Sequence, residues 1–333
     1  MNILERCAQS CRENPGIVVF PDSLDCRVLK AAARLKEEGL AESVLVQSPF
    51  AVRDKIRRAN LSAMGLTVVD HTTPSLHRKN VEAYYALRQE KGKPVSMEDA
   101  EKSMSCPLAA SAMMIRRGEV HVGVCGNLSS TADVLKAGLA ILPRKQGIKT
   151  ISSFFLMISP DQKRQFVFAD CAVVPEPKAE TLADIAIASA AMARTLLGED
   201  PRVAMLSFST KGSADHPRTA MVRQAVEMVQ ERAPDIAIDG ELQFDAASLP
   251  EVAALKAPGS VLMGRANVFV FPSLEAGNIG YKLVERLAGF RAIGPFLQGF
   301  DGGWHDLSRG CSAEDIYNVA VIGMCLRRGQ MPG

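Results

Sequence analysis

The feature that most restricts the fold is an alternation near the start of the chain. Three short strand-like runs at 16–20, 43–47 and 66–70, the first apolar throughout and the others with an apolar centre, are separated by helical patterns. The first helix carries Arg27, Leu29, Ala31 and Leu35 and is stopped at Gly39; the second spans about 49–58. Strands separated by a helix pair in parallel through a crossover, and strands this apolar need cover on both faces. A βαβαβ opening therefore predicts an α/β fold, with a mostly parallel sheet wrapped by helices. An amphipathic helix at 2–13 precedes it.

The alternation continues through helices at 76–89, 96–105 and 107–117, a strand at 121–126, and a helix that ends before Pro143. The texture changes near residue 148. Segments 149–159 and 165–170 read as antiparallel strands around the turn Pro160-Asp161. A helix at 180–197, a strand at 202–209, a helix at 217–232, strands at 236–239 and 268–271, a helix at 278–289 and a strand at 292–297 follow. At 333 residues there is chain enough for two α/β domains.

Composition excludes several functions. A net charge of +2 and 5% aromatics leave neither a basic footprint nor a stacking platform for nucleic acid. Eight scattered cysteines form no Cys-x-x-Cys and no Cys/His cluster, so no metal site and no disulfide framework is expected, and a reducing cytoplasm is. No apolar run approaches a membrane span, and no signal-peptide core opens the chain. No Gly-x-Gly-x-x-Gly follows a strand, and Lys211 is followed by Gly212, so the dinucleotide fingerprint and the Walker A loop are both missing.

Polar loops at strand ends supply the candidate chemistry. Ser129, Ser130 and Thr131 at a helix start offer donors to an anion, or merely cap the helix. The 207–213 loop adds a lysine, with Ser209, Lys211 and Gly212 as candidates for an anion or, as readily, as a helix cap. Glu241 and Asp245 flank Gln243, as ligand contacts or as a solvated loop. The most loaded stretch is 306–315, which sets Ser308, Arg309 and Asp315 beside a helix start. An arginine between Ser308 and Gly310 reads as an anion clamp. Asp315 lies three residues after Ser312, the spacing of a capping box, so cap and base compete for it. Cys311 reads as a small buried residue or, with His305 nearby, a nucleophile. Arg27, Arg88 and Lys136 by themselves read as solvated helix positions.

Taken together, the segments Pro21-Asp-Ser-Leu-Asp-Cys-Arg-Val-Leu-Lys-Ala-Ala32, Gly126-Asn-Leu-Ser-Ser-Thr-Ala-Asp133, Phe168-Ala-Asp-Cys171, Leu206-Ser-Phe-Ser-Thr-Lys-Gly-Ser-Ala214, Asp239-Gly-Glu-Leu-Gln-Phe-Asp-Ala246, 271–283 and 306–312 resemble the phosphate acetyl/butyryl transferase family, end to end and in order. The wording His305-Asp-Leu-Ser-Arg-Gly310 is similar to its short, ethanolamine-utilisation branch. The resemblance implies two α/β domains of isocitrate/isopropylmalate dehydrogenase-like architecture, at 1–147 plus about 305–333 and at 148–304, with the active site in the cleft between them. It implies reversible acetyl transfer between CoA and phosphate, with CoA and acetyl-CoA as substrates and no permanently bound cofactor.

The family roles fall on Ser308 and Arg309 for the phosphate or acyl group, and on Asp315 as base for the CoA thiol. Arg88 and Lys136, the latter where the family has arginine, fall at CoA contacts, and Arg27 at an arginine tied to activity. Cys171 aligns with an active-site cysteine and is expected to be a bystander. A homodimer in the cytoplasm is implied; a bacterial microcompartment, with its other enzymes as partners, is the narrower setting the resemblance raises. The rivals are a butyryl or propionyl transferase, a metal- and nicotinamide-dependent dehydrogenase of similar architecture, and a non-enzymatic assembly partner.

Overall fold

The structure is a computed structural model that describes residues 1–61 and 65–328. The chain divides into two compact units: residues 1–144 together with those from Phe300 onward, and residues 145–299. Among the described residues no helix is long and apolar enough to cross a membrane.

The first unit holds a five-stranded sheet of β1 (Gly16–Phe20), β2 (Ala41–Val46), β3 (Thr67–Val69), β4 (Val122–Cys125) and β11 (Gly303–Asp306). Its order is β11-β4-β1-β2-β3, and every neighbouring pair is parallel. Around it lie α1 (Ile3–Glu13), α2 (Cys26–Glu37), α3 (Pro49–Arg58), α4 (Pro74–Glu90), α5 (Met97–Met104), α6 (Pro107–Arg116), α7 (Thr131–Ile141) and α13 (Ala313–Arg328). Side chains start several of them. Asp25 caps α2, Ser96 caps α5, and Asn2 with Glu5 closes a capping box on α1.

Strand β11 has no counterpart in the sequence reading, which passes from the strand at 292–297 to the 306–315 stretch. It is four residues long and starts in a glycine pair, too short to show a period. Trp304 holds it in place. The indole is fully buried, fills the space left by Gly123 and Gly138, and donates from Nε1 to the Val134 carbonyl at 3.0 Å. One side chain thus joins β11, β4 and α7.

The second unit is a six-stranded sheet of β5 (Ser152–Ile158), β6 (Gln165–Ala169), β7 (Arg202–Leu206), β8 (Ala237–Leu242), β9 (Val268–Val270) and β10 (Arg291–Gln298), in the order β10-β5-β6-β9-β7-β8. The β10-β5-β6 part is antiparallel and the rest parallel. Helices α8 (Ala179–Leu197) and α9 (Pro217–Arg232) pack together against one face. The other face carries α10 (Phe244–Ser248), α11 (Pro250–Lys256) and α12 (Leu274–Ala288). There Phe155, Phe168, Leu206 and Phe269 meet Ala247, Tyr281 and Val284 in one core. Helices α10 and α11 have no counterpart in the sequence reading. At five and seven residues they are too short for a 3.6-residue period to stand out.

Trp304→Ala is expected to destabilise the folded chain by about 3–5 kcal/mol, the cost of emptying a large aromatic site in a packed core. Urea unfolding followed by circular dichroism measures this.

Candidate active site

In the first unit β11, β4 and β1 are adjacent and parallel, so their carboxyl ends open on one edge. The chain first steps from β1 outward to β2 and β3, and later places β4 and β11 on the opposite side. Open α/β sheets bind ligands at such a reversal of strand order. The loops 21–25, 126–130 and 307–312 meet there.

Carboxylates organise these loops. Asp22, buried at the end of β1, accepts main-chain N–H bonds from Gly126, Leu128 and Ser129 at 3.0–3.3 Å and the Ser129 hydroxyl at 2.6 Å. Asp25 accepts from Asn127 Nδ2 at 3.0 Å and grips Arg27, with 2.6 Å at the closest approach. Burial alone would raise the Asp25 carboxyl, but hydrogen bonds from Arg27 and Asn127 outweigh it and hold it below its usual value.

Arg27 spends its whole fork on the protein. Nε faces Asp25; Nη1 donates to the carbonyls of Arg309 (2.8 Å) and Cys311 (2.6 Å); Nη2 donates to Asp25 and to the Asn127 carbonyl (3.1 Å). A guanidinium has five N–H groups, and all five are used. Arg27 is the staple of the 309–311 loop, with no donor left over for a ligand.

The stapled loop presents Ser308, Arg309 and Gly310 to solvent. Cys311 N–H closes the turn on the Ser308 carbonyl at 2.9 Å, and Gly310 N–H donates to Ser308 Oγ at 3.2 Å. Among the described residues the Arg309 guanidinium has neither ion pair nor hydrogen bond. Asp315 forms the capping box that its spacing suggests. Its Oδ2 accepts from Ser312 N–H and Oγ, both at 2.8 Å, and its own N–H donates to Ser312 Oγ at 3.1 Å. Cys311 is buried, and burial pushes its thiol up to about 11, against the pull of Arg27. A thiol so held is a poor nucleophile at neutral pH.

The serines before α7 turn inward or cap. Ser129 is committed to Asp22, Ser130 is the N-cap that receives Asp133 N–H at 3.2 Å, and Thr131 donates to Asp306 Oδ2 at 2.7 Å. Asp306 opens the 306–315 stretch but drew no role from the sequence, because it stands at the end of the unrecognised β11. It is buried; desolvation pushes its carboxyl up to about 6, the Thr131 bond opposes this, and the Asp22 charge adds to it. Gly126 lies against it at φ +90°, where an added Cβ would come within 2.1 Å of Asp306 Oδ1, so only glycine fits.

A second cationic feature of this unit is a hollow of about 290 Å³. Arg88, Lys91, Lys93 and Arg144 rim it, and Leu139, Leu142, Pro143 and Phe300 line it. Lys91 donates to the carbonyls of Ala140 and Leu142 at the end of α7. Burial, then the charges of Arg116, Arg88 and Arg144, lower its affinity for its proton. Lys136 is exposed on α7, one turn before Leu139.

In the second unit carboxylates engage the 207–213 loop. Fully buried Glu241 accepts from Ser209 Oγ at 3.0 Å and Gly212 N–H at 2.8 Å and pairs with Arg223 at 3.2 Å; Lys211 pairs with Asp239. The donors that spacing offered to a ligand are taken by carboxylates of β8. Cys171 is fully buried, and burial raises its thiol well above its usual value. Among the described residues no group of three or more His, Cys, Asp or Glu is arranged to hold a metal ion. The dehydrogenase alternative requires such a cluster.

Fold and loops together define an α/β protein with an exposed arginine at the carboxyl edge of a parallel sheet, the edge at which open α/β sheets take ligands. More particularly, the chain belongs to the family described as phosphate acetyl/butaryl transferase, whose sequence model matches residues 2–324. It is 44% identical to the phosphate acetyltransferase of Thermoanaerobacterium thermosaccharolyticum, over 96% of this chain and 97% of that protein. Two solved structures are similar over 98% of both chains. They are a phosphotransacetylase from Streptococcus pyogenes (TM-score 0.92, 41% identity) and the EutD phosphotransacetylase from Staphylococcus aureus (TM-score 0.90, 38% identity).

Two outcomes are expected. Arg27→Lys keeps the charge but loses the fork, so kcat should fall about tenfold or more, with KM for CoA changed less than about threefold. The double variant with Arg309→Ala should be no worse than Arg309→Ala alone; additive losses in kcat/KM would instead mark Arg27 as an independent substrate contact. Asp306 sets a pH dependence. Folded, it keeps its proton to about pH 6, and unfolded only to about pH 4, so the folded chain binds more protons in that window. Its contribution to stability is therefore lost as pH rises through the window. Wild type should lose up to ~3 kcal/mol relative to Asp306→Asn between about pH 4 and pH 7, read from urea unfolding.

Proposed function

We propose that the chain catalyses reversible acetyl transfer between CoA and inorganic phosphate, acetyl-CoA + phosphate ⇌ acetyl phosphate + CoA. The observation that carries the site is Arg309, an open guanidinium on a loop whose carbonyls Arg27 holds fixed. A phosphate or an acyl phosphate is the ligand such a fork takes, in bidentate fashion and close to the positive end of α13. Ser308 beside it offers a hydroxyl to the same group.

In the direction of acetyl-CoA synthesis the CoA sulfur attacks the carbonyl carbon of acetyl phosphate. The thiol proton passes to Asp315, the new C–S bond forms, and the C–O bond to phosphate breaks with phosphate as leaving group. Ser312 occupies Oδ2 of Asp315 and aims the side chain, leaving Oδ1 for the proton. A thiol of pKa about 8.5 is only a few per cent ionised at neutral pH, so removing its proton accounts for roughly 2 kcal/mol, or about thirtyfold. Arg309 provides more by neutralising charge on the tetrahedral oxyanion and the departing phosphate. Both substrates are held at once, and transfer is direct.

The hollow rimmed by Arg88, Lys91, Lys93 and Arg144, with Lys136 beside it, suits the phosphorylated nucleoside end of CoA: charge at the rim and apolar surface within. It is too small for the whole molecule, whose thiol arm is left to reach the 308–315 loop. We assign the enzyme to the cytoplasm as a homodimer. The wording of residues 305–310 is the ground for placing it in ethanolamine utilisation, with a microcompartment as its narrower setting.

The test is acyl-CoA formation from CoA and acyl phosphates of increasing chain length, wild type against Arg309→Ala. Acetyl phosphate should be the preferred donor, and Arg309→Ala should lower kcat/KM about a hundredfold or more. Full turnover of Arg309→Ala at saturating substrates would overturn the site. Acyl groups trapped on Cys311 or Cys171 would overturn direct transfer.

A further inference from the structure

Helix α2 carries two arginines on one side. Arg27 and Arg34 are two helical turns apart, about 10 Å along the axis, and both reach the same neighbour. Arg27 holds the carbonyls of Arg309 and Cys311 in the loop before α13. Arg34 pairs with Glu314, in the first turn of α13, at 2.5 Å. Glu314 stands next to Asp315, yet no step of the acetyl transfer uses Arg34.

Arg34 is itself held from two further directions. Its Nε pairs with Glu38 at 2.7 Å, one turn on along α2, and its guanidinium lies 3.8 Å from the centre of the Tyr317 ring. The Tyr317 hydroxyl donates to the other oxygen of Glu38 at 2.6 Å. Burial, then the bond to Glu38, raises the phenol well above its ordinary value, so it remains a donor at neutral pH. Arg34, Glu38 and Tyr317 thus close a ring between α2 and α13, and Glu314 extends it to the helix start.

This cluster contributes little to stability. The side chains of Arg34 and Glu314 are 44 and 49% exposed, and ion pairs so open to water are worth little in folding. Its contribution is to geometry. From Ile316 to Cys325 helix α13 is buried, whereas Ser312 and Glu314 are exposed and Ala313 and Asp315 half-buried. The first turn therefore lacks the core packing that fixes the rest of the helix. The bonds to Ser312 orient Asp315 within that turn, but they do not set the turn's place relative to Arg309. A bond from α2 to Glu314 does, because the same helix holds the Arg309 loop.

We propose that Arg34 is a positioning residue for the acetyl transfer: through Glu314 and Tyr317 it sets the first turn of α13, and with it Asp315, against the loop that Arg27 holds. The proposal rests on the reading of Asp315 as the base. Misplacing a reacting group by about 1 Å can cost up to a hundredfold in rate, so a contact of small stabilising worth can have a large kinetic one.

Steady-state kinetics of the full chain with acetyl phosphate and CoA test this. Arg34→Gln should lower kcat about tenfold or more, with KM for both substrates changed less than about threefold and the urea unfolding midpoint unmoved. Arg34→Lys keeps a cation at the ring but not the fork that spans two carboxylates, and should recover part of the loss. The deciding arm is the background Asp315→Asn, in which Arg34→Gln should cost nothing further. Tyr317→Phe, which keeps the ring and loses the bond to Glu38, is carried through both backgrounds and decides the matter if Arg34→Gln fails to fold. Losses that multiply in the double variant, or full kcat in Arg34→Gln, would overturn the proposal and leave the base standing. Full kcat in Asp315→Asn would instead remove the base, and this proposal with it.

Discussion

The arrangement at the sheet edge depends on the contact between Asp25 and Arg27. Loops at the ends of parallel strands carry main-chain carbonyls that need donors, and a guanidinium supplies five in a rigid plane. Asp25 takes part of the fork and balances its charge; the remainder holds the carbonyls of Asn127, Arg309 and Cys311. Two loops nearly two hundred residues apart in sequence are thereby fixed to one helix start. Arg309 can stay open to a ligand because the backbone beneath it needs none of its donors.

A division of labour among charges follows. Asp22 fills the N–H nest of the 126–129 loop, and Glu241 fills that of the 209–212 loop in the other unit. Carboxylates of the protein are thus present where a phosphate would otherwise settle, and the 308–315 loop keeps its cation exposed. Asp315 belongs to both sides of this division. Its bonds to Ser312 begin α13 and fix the side chain's direction, so the cap seen here and the base proposed above are compatible roles for one side chain.

What was legible in the sequence was local. The runs at 16–20 and 43–47 are strands because short stretches centred on apolar, β-branched residues between helices have few other outcomes, and the Ser312–Asp315 box is visible because its partners are three residues apart. Arg309 stood out because arginine between small polar residues in a loop has little to pack against. Long-range pairing was not legible. Ser129, Thr131, Ser209 and Lys211 carried the right donors, but what they donate to lies from 28 to 175 residues away. Asp22 and Asp306 gave no signal for the same reason. Strand β11 and helices α10 and α11 were hidden by shortness, since a period needs repeats to be seen.

The chain leaves the first unit at Arg144 and returns to it at Phe300, so the second unit is an insertion. During synthesis the inserted unit emerges as one continuous stretch and can fold as such, whereas the first must wait. Until the last residues appear, β4 is an open sheet edge, Trp304 has not filled its place, and Arg27 has no 309–311 carbonyls to hold. Strand β11, Arg309 and Asp315 arrive together at the end. The order of translation therefore delays the open guanidinium of Arg309 until the strands and helices that hold its loop have been made.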